Sequence, residues 1–334
     1  MQRILVMLLL AVGIGFGSAH AATAQKQPQP RKTVAKAVVA AKTAHKPIQR
    51  VAAQQSGRGA YRSANRGARH VAPPPPEVFN PDVLDVQSTA ALVINPGDGK
   101  VVYDKNITAV APIASITKLM TAMVVMDAKL PLDEMITLTE DDLDFVKHTG
   151  SRLQIGTSLS RDDMLRLALM SSENRAASAL GRAYPGGMAA FVKEMNLKAL
   201  SLEMMRTAFV DSTGLSSGNV SSAQDLAKMV KAAYQYPLIR QYSTGNAYAV
   251  QAYNGRAMQF GNSNSLIVNP DWHINLSKTG YIREAGRCLV MHTTINNTPY
   301  VVVLLDSFGR MSRVGDANRI KKWIEYHFSS RTIG

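Results

Sequence analysis

The spacing of apolar residues changes along the chain, and the changes mark out the elements. Ala91-Leu92-Val93-Ile94-Asn95-Pro96 and Val101-Val102-Tyr103 are apolar runs joined through Gly97-Asp98-Gly99, the pattern of a β-hairpin. An apolar run from Ser115 to about Asp127 predicts a helix. Ser160 with Asp163 resembles a helix-start box, and helices are predicted over roughly 161–171, 174–184 and 188–199, interrupted at Gly186-Gly187. Ser221 with Gln224 opens another helix, through about Tyr234. The pattern then turns to strands: a loose alternation from Trp272 to Ser277, a second strand from Arg287 to Ile295, a turn at Asn296-Asn297, and a third strand from Tyr300 to Leu305. From Ser312 to about Phe328, Val314, Ala317, Ile320, Trp323, Ile324 and Phe328 fall near helical spacing. Hairpin, helical insert, three-stranded return and closing helix predict an α+β fold, an antiparallel sheet with flanking helices plus an all-helical lobe. A site where the two lobes meet is the expected place for chemistry.

The first 84 residues follow neither pattern. Residues 4–17 are apolar behind the basic start Met1-Gln2-Arg3, too short a run to cross a bilayer, and Ala19-His20-Ala21 supplies small residues for cleavage. Residues 1–21 therefore predict a cleaved secretory signal and a periplasmic protein without a transmembrane anchor. Residues 22–84 read as a Pro/Ala/Gln-rich disordered tether, because such a composition buries too little apolar surface to offset the entropy of ordering. Eleven Lys or Arg and no Asp or Glu lie between residues 22 and 76, so most of the net charge of +14 is local to this arm. Residues 77–334 are nearly neutral, with 26 basic against 24 acidic side chains. That distribution, with no base-reading motif, argues against a nucleic-acid partner and leaves electrostatic contact of the arm with an anionic envelope surface as the expectation. The single cysteine, Cys288, sits in an apolar strand with no partner for an internal disulfide and no base beside it. The seven histidines are scattered, and no His/Asp/Glu spacing suggests a metal site; no cofactor is expected.

Three short motifs carry the candidate chemistry. Ser115 and Lys118 stand three apart at the start of an apolar run, so a helix there puts them on one face. A serine hydroxyl becomes a useful nucleophile only when a neighbour takes its proton, and a lysine can do so once burial or a second cation lowers its pKa from about 10.4. Ser172-Glu173-Asn174 follows an apolar helix, and Lys278-Thr279-Gly280 ends the first returning strand. Ser-x-x-Lys alone is weak; the three together, in this order, form the signature set of penicillin-binding proteins and serine β-lactamases. Ser217-Gly218-Asn219 and Ser63-Ala64-Asn65 are rivals for the middle motif, and Glu173 reads as solvated.

From about Gln87 to Phe328 the chain resembles the low-molecular-mass penicillin-binding proteins of the D-alanyl-D-alanine peptidase family. Pro112-Ile113-Ala114-Ser115, Ala168-Leu169-Met170-Ser171-Ser172-Glu173-Asn174-Arg175, Tyr184-Pro185-Gly186-Gly187 and Thr213-Gly214-Leu215-Ser216 look like its endopeptidase branch, the penicillin-binding protein 7 type. The resemblance implies a β-lactamase/transpeptidase-like serine peptidase domain over residues 85–334 that cleaves D-alanyl-meso-diaminopimelate cross-links in peptidoglycan and is acylated by β-lactam antibiotics. It implies Ser115 as nucleophile, Lys118 as base, Ser172 as proton relay and Asn174 as the residue that holds Lys118 and the substrate. Lys278, Thr279 and Gly280 would bind substrate, and the backbone N–H groups of Ser115 and Tyr281 would form the oxyanion hole. Carboxypeptidase action is the near alternative. A β-lactamase is a more distant one, since no Glu-x-x-x-Asn lies between Ser172 and Lys278, and a non-catalytic wall-binding scaffold is another.

Overall fold

The hairpin read from residues 91–103 forms, as β1 (Ala90–Ile94) and β2 (Val101–Lys105). Its turn is closed by Asn95 Oδ1 accepting from Gly97 N and Asp98 Oδ1 accepting from Lys100 N. The computed structural model describes residues 82–251, 253–309 and 311–329. The predicted signal over residues 1–21 and the predicted tether as far as residue 81 lie outside the described residues.

After β3 (Ala111–Pro112) come a 3-10 turn over Ala114–Ile116 and helix α1 (Thr117–Asp127). The helical lobe is built from α2 (Arg161–Met170), α3 (Asn174–Arg182) and α4 (Gly187–Ser201), preceded by the small ribbon of β4 (Met135–Thr137) and β5 (Ser158–Ser160). Strand β6 (Val220–Ser221) pairs with β3 and leads into α5 (Ala223–Ala233) and α6 (Pro237–Ser243). A second hairpin, β7 (Ala247–Gln251) and β8 (Ala257–Gly261), precedes the long strands β9 (His273–Ile282), β10 (Gly286–Ile295) and β11 (Thr298–Ser307) and the closing helix α7 (Ser312–Ser329). The main sheet is antiparallel throughout in the order β2-β1-β11-β10-β9.

The near-continuous apolar character of β10 and β11 follows from burial on both faces. Cys288, Val290, Val301 and Val303 join the core shared with α1, α2 and α5, while Leu289, Met291, Val302 and Leu304 pack against Ala317, Ile320 and Ile324 of α7. Asp316, fully buried on α7, accepts from Gln87 N and Ser88 N at 2.8 Å each and from Ser88 Oγ, tying the start of the domain to its last helix. Trp272 buries its ring on the same side, and its Nε1 donates to Asn318 Oδ1. Burial pushes the Cys288 thiol up to about 11, so it stays protonated and unreactive.

The Ser160/Asp163 box caps α2 as its residues suggest, with Asp163 N donating to Ser160 Oγ at 3.0 Å. The start of α5 differs from expectation. Its cap is Ser222, whose Oγ accepts from Asp225 N, while Ser221 is drawn into the β3–β6 ladder and shares a hydrogen bond with Thr207 Oγ1. Helix α6 and the β7–β8 hairpin were not expected. The hairpin buries only Val250 and Phe260 from its two strands, too little to leave a period in the sequence.

Candidate active site

Ser115 stands in the 3-10 turn just before α1, one residue after Ala114, whose φ of 47° turns the chain sharply into the helix. The helix itself begins at Thr117, not at Ser115, and the i, i+3 relation survives because 3-10 and α turns both bring such residues together. Lys118 is completely buried. Its Nζ lies 2.8 Å from Ser115 Oγ, 2.8 Å from Asn174 Oδ1 and 2.7 Å from the Thr213 carbonyl oxygen. Burial brings its pKa down to about 7 against the opposing charges of Asp211 and Glu173.

Ser172 and Asn174 occupy the connection between α2 and α3, where Ser172 adopts a left-handed backbone with φ 63°. Lys278, buried on β9, donates to Ser172 Oγ at 2.8 Å and to the Thr279 carbonyl at 2.9 Å. Burial, then the nearby cations Lys118 and Arg313, hold the Lys278 ammonium well below the ordinary lysine range. Five of the residues singled out from the sequence thus lie together between the lobes in two hydrogen-bonded groups, Ser115–Lys118–Asn174 and Ser172–Lys278, near enough for the Lys118 charge to act on Lys278. Thr279 is beside it, donating through Oγ1 to Ser263 Oγ at 2.8 Å. Gly280 is where β9 passes the Ser115 turn: a Cβ there would stand 2.8 Å from Ile113 O and 3.2 Å from Ser115 N. Tyr281 follows, 57% exposed, with the Arg287 guanidinium over its ring.

The rival Ser217 is exposed, and Asn219 is a buried brace that accepts from Val210 N and donates to Asp211 O. Ser63 and Asn65 lie outside the described residues. Glu173 is not simply solvated as its sequence context suggests: it is half-buried and accepts from Ser151 Oγ at 2.5 Å. Sequence reasoning did not identify the Thr213 carbonyl, Thr149, whose Oγ1 accepts from Asn174 Nδ2, or Arg313, which donates to the carbonyls of Gly280 and Cys288. The only available signal was Gly214, next to Thr213, in the segment that contributed to the family resemblance.

A cavity of about 160 Å³ opens beside the cluster, lined by Asp144, Phe145, Thr149, Asn174, Arg175 and Leu215 among others. Lys147 and Glu284, 2.5 Å apart, join the loop that walls this cavity to the β9–β10 turn. Among the described residues no group of three or more His, Cys, Asp or Glu side chains could hold a metal ion, and no helix is long and apolar enough to cross a membrane.

The sequence pattern of the D-alanyl-D-alanine carboxypeptidase family, peptidase S11, matches residues 77–309. A D-alanyl-D-alanine endopeptidase of Pseudomonas aeruginosa is 49% identical over 255 residues, covering 76% of this chain and 82% of the relative. A D-alanyl-D-alanine endopeptidase of Escherichia coli is 48% identical over 242 residues, covering 72% and 78%. Among solved structures, penicillin-binding protein D2 of Listeria monocytogenes in its cefotaxime-bound form superposes with a TM-score of 0.63 at 27% identity, over 72% of this chain and 98% of that one.

Proposed function

The chain belongs to the D-alanyl-D-alanine carboxypeptidase family of serine peptidases, and from that premise we propose that it hydrolyses D-alanyl-meso-diaminopimelate cross-links in peptidoglycan through an acyl-enzyme on Ser115. The observation that carries this reading is the surroundings of Lys118 Nζ. Two of its three neighbours, Asn174 Oδ1 and Thr213 O, are oxygens that can only accept. A neutral lysine amine spends its two N–H bonds on them, and its lone pair is left for the Ser115 hydroxyl 2.8 Å away.

Ser115 Oγ attacks the D-alanyl carbonyl carbon as its proton passes to Lys118. The tetrahedral oxyanion is met by the N–H groups of Ser115 and Tyr281, an arrangement in which one donor is worth about 3–4 kcal/mol. The proton returns through Ser172 to the leaving amine, the C–N bond breaks, and water then hydrolyses the ester by the same steps in reverse order. Ser172 suits the relay because Lys278, held low in proton affinity by burial and then by Lys118 and Arg313, sits at its oxygen. Lys278, Thr279 and Gly280 line the strand along which the substrate backbone and its anionic group lie. Asn174 fixes Lys118 and faces the substrate from the opposite wall. β-Lactams enter as acyl donors at Ser115 and leave a covalent adduct. The leader over residues 1–21 directs export to the periplasm, and the basic arm of residues 22–84 holds the domain near the anionic wall.

The test is mass spectrometry of muropeptides after digesting cross-linked and pentapeptide-rich sacculi with protein lacking residues 1–21, Ser115→Ala serving as the blank. Cross-linked dimers should fall to monomers while pentapeptides persist; loss of terminal alanine with intact dimers would make it a carboxypeptidase. In the same digests, protein bound to sacculi should decrease as salt rises; equal binding at low and high salt contradicts the role given to the arm.

A further inference from the structure

Of the two oxygens that accept from Lys118, Asn174 Oδ1 belongs to a side chain at a helix start, whereas Thr213 O belongs to a segment without regular secondary structure. Something must hold that segment. Asp211 Oδ1 accepts from Thr213 N at 2.6 Å, Thr213 Oγ1 at 2.7 Å and Gly214 N at 2.6 Å, and its Oδ2 accepts from Ser216 N at 3.0 Å. Thr213 Oγ1 in turn accepts from Leu215 N. The base of the turn is fastened separately: Asn219 Oδ1 accepts from Val210 N and Asp211 N, and Thr121 of α1 donates to Ser212 O at 2.7 Å.

We propose that Asp211 is a positioning residue for the acyl transfer: its carboxylate gathers four donors of residues 213–216 and so aims the Thr213 carbonyl at Lys118 while fixing a negative charge beside it. The proposal rests on Lys118 being the base. Only a carboxylate fits the place, because both of its oxygens accept. An asparagine with its oxygen toward Thr213 and Gly214 would turn N–H groups against the Ser216 N–H. The charged groups that face Lys118 are Asp211 from this turn, Glu173 from the α2–α3 connection and Lys278 from β9, with Arg313 behind Lys278. Asp211 and Glu173 favour the ammonium form, and burial opposes them.

The test is the pH dependence of acylation by a fluorescent penicillin in the full chain, for wild type, Asp211→Asn and Asp211→Glu. Wild type should inflect near 7. Asp211→Asn should move the inflection to lower pH, because a carboxylate that favoured the ammonium is gone, and lower the plateau about tenfold through the displaced carbonyl. Asp211→Glu keeps the charge, so its inflection should stay closer to wild type while the plateau falls. A purely structural role moves no inflection. An Asp211→Asn profile with the wild-type inflection, or a rate loss equal to the unfolded fraction, overturns the proposal. A wild type with no inflection near 7 overturns the base assignment first, and this proposal with it. If Asp211→Asn does not fold, Thr213→Ala decides: it removes one donor to Asp211, and a plateau equal to wild type contradicts the proposal.

Discussion

Lys118→Met is expected to slow acylation of Ser115 by roughly 10²- to 10⁴-fold, the range a general base contributes. Methionine fills much of the buried space but has no lone pair of useful basicity to take the hydroxyl proton. The same residue is expected to set the pH profile of the unmodified protein. An ordinary lysine with a pKa of about 10.4 would be neutral in only about one molecule in 10³ to 10⁴ at neutral pH. Burial brings Lys118 down to about 7, against the pull of Asp211 and Glu173, so about half of the molecules carry the base in working form at that pH. Because the neutral form is the active one, the rate should fall about tenfold per pH unit well below 7 and level off above it. Time courses with a fluorescent penicillin across this range check both statements. A Lys118→Met variant that keeps the wild-type rate, or a wild-type rate that rises on acidification, would remove Lys118 from the mechanism.

Gly214→Ala is expected to cost about 2–5 kcal/mol of stability and to depress acylation in the fraction that still folds. Gly214 has φ 81°, and a Cβ there would stand 2.0 Å from Ala114 O, 2.4 Å from Ala114 C and 2.9 Å from Ser115 N. A left-handed backbone costs an L-residue about 1–2 kcal/mol, and forcing an extra carbon into a packed site adds about 1–3 kcal/mol. The atoms that must yield are backbone atoms of the Ser115 turn, so relief of the clash displaces Ser115 from Lys118. For a domain of this size each kcal/mol lowers the melting temperature by about 2–4 °C. Gly99→Ala is the matched control: φ there is 73°, and a Cβ would meet nothing within 4 Å. It should show the backbone cost alone, with acylation unchanged. Equal melting temperatures for the two variants would contradict the close approach of residue 214 to Ala114.

The sheet and the helical lobe were legible in the sequence because their apolar positions repeat at periods of two and near 3.6, and because β10 and β11 are apolar on both faces. Ser115, Lys118, Ser172, Asn174 and Lys278 were legible because each contributes a side-chain atom whose chemistry its residue type announces. The Thr213 carbonyl was not, since every residue has a carbonyl, and only the turn held by Asp211 selects this one. Thr149 was hidden for a related reason: it reaches Asn174 from a loop whose course depends on Asp144 accepting from Val146 N, Lys147 N and Thr149 N. The cap of α5 was misplaced by one residue because Ser221 and Ser222 are equivalent as sequence. Pairing of β6 with β3 decides between them.

The central claim is that Ser115, activated by Lys118, is the residue acylated. Intact-mass analysis after incubation with benzylpenicillin, followed by peptide mapping, tests it most directly. One equivalent of penicilloyl mass should appear, located on the peptide that contains Ser115, and it should vanish in Ser115→Ala. An adduct on any other residue, or one that persists in Ser115→Ala, would contradict the account.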